Sequence, residues 1–268
     1  MRMNNRRNYA LDFVLLVTLL TIPLWIFGGN PLPVPMKLPI SALALVTPMI
    51  AAVFLTYRQN GFPGVGALFK KVFDFRKIKN KIWFLPVLFL YPLVMVISYL
   101  VMRLAKFPLP VPEIPWHLAL PFLLLFFVAG IGEEIGWTAY ATDPMLKRWG
   151  GLITSLVLGG FWALFHLIPD IQNGQAADWI FLHLLSTVAF RIIIIWVYCN
   201  TGGSVFTAIL FHAMNNLSWT LFPNYGSHYN PFVTFVVSLP VVAVFIVRWG
   251  LKTLPRRNVF TSSVSRFD

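Results

Sequence analysis

Acidic side chains are scarce in this 268-residue chain: nine in all, three of them glutamates. Charged residues of every kind make up 11%, against about 25% in ordinary soluble domains. That shortage excludes a conventional solvated surface. A single cysteine, Cys199, excludes an internal disulfide. The sequence has no internal repeat and no low-complexity tract. It therefore lacks the halved symmetry of many carriers and the periodicity of solenoids.

What is abundant is apolar. Hydrophobic residues are 58% of the chain, and runs of about 20 recur along it, each long enough to cross a bilayer as a helix. The runs fall near 10–28, 39–57, 82–102, 117–137, 151–168, 179–199, 203–222 and 231–250. They predict an all-α, polytopic membrane helix bundle of about eight transmembrane helices. Little remains for a soluble part, so residues 1–268 read as one integral membrane domain. The first run follows Arg2, Arg6 and Arg7 but lacks a small-x-small cleavage site, so it reads as an uncleaved first helix.

The net charge of +12 raises the question of nucleic acid. Its distribution points elsewhere. With both termini in the cytoplasm, inner segments hold 17 Lys and Arg and outer segments 3, the remaining one, Arg191, lying inside the sixth run. This is the positive-inside pattern of a multi-pass protein of the cell membrane. The basic loops are expected to meet anionic lipids and not nucleic acid. The most basic loop, Arg58–Lys81, predicts an amphipathic surface helix over about 64–80, with Leu68, Val72 and Phe75 on one face. A solvated basic loop fits that stretch equally well. Residues 103–116 hold four prolines and cannot form a long helix.

Two of the three glutamates, Glu133 and Glu134, stand side by side in PFLLLFFVAGIGEEIGW. An ionised carboxylate at mid-membrane costs roughly 2.5–3.5 kcal/mol on insertion scales. Either structure or chemistry holds them there. Other polar groups lie in neighbouring runs: His166 at the end of FWALFH, then His212, Asn215 and Asn216 in ILFHAMNN. Trp162 and His166 are four apart, as are His212 and Asn216, so each pair shares a helix face. Gly132 and Gly136, also four apart, allow another helix to come close. A lone histidine in a membrane helix is most often a packing residue, and His183 reads so. Asn215 reads as an interhelical hydrogen-bonding group. Trp137, Tyr140 and Trp162 are expected as pocket walls.

EEIGWTAY, FWALFH and FHAMNN, in this order and at these distances, resemble the CPBP family of intramembrane proteases. That family includes the type II CAAX prenyl proteases and the bacterial Abi proteins. The resemblance spans about 117–220, the expected catalytic core. It implies a glutamate-dependent membrane endopeptidase without a cofactor, acting on a peptide or protein substrate in the membrane. Glu133 matches the water-activating position, Glu134 the structural one, and His166, His212 and Asn216 the remaining catalytic positions. Trp162 matches the aromatic of the second motif. Thr138 stands where the family motif has arginine, which makes Arg191 a candidate substitute partner for Glu134. Three alternatives accompany this reading. One is a catalytically weak immunity or peptide-binding scaffold, another a proton-relay carrier. The third is a zinc hydrolase with Glu133, His166 and His212 as ligands.

Overall fold

In a computed structural model, residues 9–31, 39–109, 111–221 and 223–249 are described. The basic residues Arg2, Arg6 and Arg7, and those from Lys252 onward, lie outside them, and with them the expected cytoplasmic termini. The described chain is a helical membrane bundle. Its helices are α1 (Tyr9–Phe27), α2 (Thr47–Lys70), α3 (Phe84–Leu104), α4 (Ala119–Glu134), α5 (Asp143–Gln172), α6 (Ala177–Asn200), α7 (Val205–Leu221) and α8 (Pro231–Trp249). Each apolar run of the sequence falls on one of them. Five helical stretches among the described residues are long and apolar enough to cross a membrane. The number is below eight for a local reason. α4 and α5 join through a π-helical segment, Ile135–Thr142, into one stretch over 116–172. α7 has 17 residues, and the described apolar part of α8, Pro231–Val247, is equally short.

Side chains sort by the solvent that each face meets. Leu19, Leu93, Leu124 and Val244 are exposed, as lipid-facing residues of a bundle are. Inside, Ile193, Ile194 and Ile195 of α6 pack with Ile209 and Phe211 of α7. α4 packs on α7, and α5 on α6. The site is built from these four helices. The start of α2 approaches them closely at Gly132 and Gly136. A Cβ on Gly136 would lie 2.5 Å from the Pro48 carbonyl oxygen, and one on Gly132 would lie 2.9 Å from that of Leu45. Hydrogen at both positions is what lets the chain at Leu45–Pro48 roof the glutamates.

The basic loop is less helical than its periodicity suggests. α2 turns at Gly61 (φ 61°) and runs on to Lys70, after which the chain makes 3-10 turns at Lys71–Phe73 and Phe75–Lys77. Leu68 and Val72 are buried, while Phe75 is partly exposed and packs edge-on against Phe206 of α7. The reason for the break is Asp74. Its carboxylate accepts from Val205 N and Phe206 N at 3.3 and 3.1 Å and from the Ser204 hydroxyl at 2.8 Å. A carboxylate at a helix N-terminus satisfies free N–H groups and complements the helix dipole. Lys77 closes the arrangement, 2.8 Å from Asp74 and 3.0 Å from the Gly203 carbonyl. The loop therefore anchors the helix that carries His212 and Asn216.

Candidate active site

Glu133 and Glu134 end α4, and the π-helical segment begins at the next residue. π-turns close i→i+5 instead of i→i+4 and often mark functional sites. Here the Thr142 hydroxyl donates to the Trp137 carbonyl at 2.8 Å, five residues back. The wider turn also explains a departure from sequence expectation. On an α-helix Tyr140 would return to the face of Glu133, seven residues earlier. The π-turn rotates it away, and its hydroxyl accepts from Gln59 at 2.9 Å while its ring packs on Phe13. Trp137 and Trp162 do line the cavity; Tyr140 does not.

Glu134 is completely buried and surrounded by donors. Arg191 of α6 forks onto it, Nη1 to Oε2 at 2.8 Å and Nη2 to Oε1 at 3.1 Å. The Thr138 hydroxyl donates to Oε2, and His212 Nδ1 lies 2.9 Å from Oε1. Arg191 is itself fully buried, its guanidinium 4.1 Å from the centre of the Trp162 ring. A bidentate ion pair with additional donors and an aromatic face is the kind of geometry a buried charge requires. Arg191 thus occupies the partner's role for Glu134 that the sequence leaves open at position 138.

Glu133, one residue away, faces a cavity of about 270 Å³. Its side chain is 14% exposed. The Trp162 indole N–H donates to Oε2 at 2.5 Å. His212 Nε2 lies 3.8 Å from Oε1, so one imidazole stands between the two glutamates. His166, His212 and Asn216 line the same cavity. His166 Nδ1 faces the Trp162 carbonyl at 2.9 Å, leaving Nε2 as its other polar atom. Asn216 accepts from Asn215 Nδ2 at 3.2 Å through its Oδ1, which leaves its own N–H groups to donate. Asn215 therefore bonds its neighbour and lines the cavity instead of bridging helices.

The cavity also holds a pair that sequence reasoning passed over. His183 Nδ1 lies 2.7 Å from Asp170 Oδ2, and its ring stands 5.7 Å from that of His166. His183 is a wall of the cavity, not only a packing residue. The available signal was the four-residue spacing from His166 to Asp170, which puts both on one face of α5. As for a metal, no group of three His, Cys, Asp or Glu side chains among the described residues is placed to hold one.

Residues 115–218 match the family model described as type II CAAX prenyl endopeptidase Rce1-like. The site-bearing segment is therefore similar to that family. Over 109 residues the chain is also 32% identical to CAAX prenyl protease 2 of Methanococcus maripaludis. That alignment covers 38% of this chain and 40% of the relative, so it spans less than half of the curated protein's length. The family-model match takes in α4 to α6 and most of α7, the four helices that form the site.

Proposed function

We propose that this membrane protein is a glutamate-dependent intramembrane endopeptidase that cleaves a membrane-associated or lipidated peptide without a metal. The observation that carries the reading is the contrast between a tied Glu134 and a Glu133 turned to the cavity beside His166, His212 and Asn216. In this reaction Glu133 takes a proton from a water, and the oxygen attacks the peptide carbonyl. His166 orients that water. The oxyanion receives hydrogen bonds from Asn216 and from the His212 ring. Glu133 then returns the proton to the departing amine, so the base of the first step is the acid of the second. One such oxyanion donor is worth roughly 2.7–4 kcal/mol in other hydrolases. Glu134 does not touch substrate. It holds His212 by Nδ1 and so aims Nε2 at the reaction centre.

The catalytic core would be about residues 117–220, with the basic segment at 64–80 bracing α7 and meeting anionic lipid. The test is incubation of the purified protein with a library of membrane peptides, read by mass spectrometry. Cleavage by the wild type and its loss in Glu133→Ala are expected. Equal cleavage by both removes Glu133 from the mechanism. Chelators leave the activity unchanged in the metal-free reaction. Stoichiometric zinc that tracks with activity overturns that part.

A further inference from the structure

The cavity lining reaches the connections at one end of the bundle, and the charge pattern says which side of the membrane that end faces. Its lining includes Pro39 and Ser41 before α2, Asn173 and Gln175 between α5 and α6, and Tyr229 before α8, and we take these as its mouth. These connections meet at one end of the bundle. Ser41 donates to Gln172 at 2.5 Å, and Gln172 donates to the Trp25 carbonyl at 2.7 Å. At the other end lie the contacts of the basic segment. Lys71 donates to the Ala139 carbonyl at 2.7 Å, and Lys77 to that of Gly203 at 3.0 Å.

The two ends differ sharply in charge. Connections at the basic end include Arg58–Lys81, with seven Lys and Arg, and the stretch holding Lys147 and Arg148. Of the connections at the cavity end, those between α5 and α6 and between α7 and α8 have none, and the one before α2 has a single Lys37. Short loops rich in Lys and Arg stay in the cytoplasm. From Glu133, the cavity runs along the Asp170 end of α5 and the Trp179 end of α6, away from the basic loops.

We infer that the cavity opens on the non-cytoplasmic side and that its substrate is a peptide segment presented there, not a lipidated tail in the cytosol. The substrate class rests on the endopeptidase reading; the side of opening does not. The two are tested separately, because labelling needs no catalysis. In a Cys199→Ser background, Asn173→Cys marks the mouth and Lys79→Cys the basic end. A membrane-impermeant maleimide applied to intact cells should label Asn173→Cys to near completion. Lys79→Cys should react only after permeabilisation. Gln175→Cys replaces Asn173→Cys if that variant fails to accumulate. The same pattern is expected with Glu133→Gln added, where cleavage is lost. Labelling of Lys79→Cys in intact cells, or of the mouth only after permeabilisation, overturns the inference.

Discussion

Glu133 and Glu134 are chain neighbours in unlike regions. Around Glu134 every approach is closed: Arg191, Thr138 and His212 all point at it, and nothing of it is exposed. Around Glu133 one side is tied to Trp162, and the other looks into a cavity. A closed ion pair is rigid, and removing one member strands a buried charge. An open carboxylate costs less to remove and more to replace in chemistry. Changes in the first region should therefore register in stability, and changes in the second in turnover.

The largest effect belongs to Glu133→Gln. Glutamine keeps the shape, still accepts from Trp162, and cannot take a proton. Cleavage should fall by several orders of magnitude while the melting temperature stays near wild type. Turnover like the wild type's would end the general-base assignment. Arg191→Ala should act on stability instead, lowering it by roughly 3–5 kcal/mol, as breaking a buried pair does. A thermal-shift assay in detergent reads it, and a silent result would mean that Glu134 is held by other groups.

Asn216→Ala returns to the open region, with a smaller loss. Removing one oxyanion donor should lower kcat by roughly 10²–10³-fold with little change in KM. A change confined to KM would instead make Asn216 a ground-state binding group.

Much of this comparison is legible in the sequence, because the expensive residues are few. Glu133, two histidines and an asparagine in apolar runs single out the cavity lining by residue type and position alone, and Glu134 is the buried charge beside it. Arg191 stands out for the same reason, as a charge inside a run with no charged neighbour. What the sequence hides depends on backbone geometry. The π-turn after Glu134 gives no residue signature, and a 3.6-residue period therefore puts Tyr140 on the wrong face. Asp74 looks like part of a charged loop until the N-terminus of α7 is set against it. Asp170 and His183 lie on separate helices, and only the packing of α5 on α6 makes them partners.

The smallest expected effect is at Thr138, and it tests how the closed region is shared. Its hydroxyl donates to Glu134 Oε2, the oxygen that also takes Arg191 Nη1. Thr138→Val keeps the volume and removes that one hydrogen bond. A hydrogen bond to a charged group is worth roughly 1.5–3 kcal/mol, so the loss should be below that of Arg191→Ala. Turnover should change little, since Arg191 and His212 still hold the carboxylate. The two positions share an acceptor, so their effects should not add. In the Arg191→Ala background, Thr138→Arg places a guanidinium on the α4 side of Glu134, in the space the first arginine has left. That double variant should regain part of the lost stability. No recovery would show that the cation has to come from α6, and that joining α6 to α4 is what the Arg191–Glu134 pair contributes.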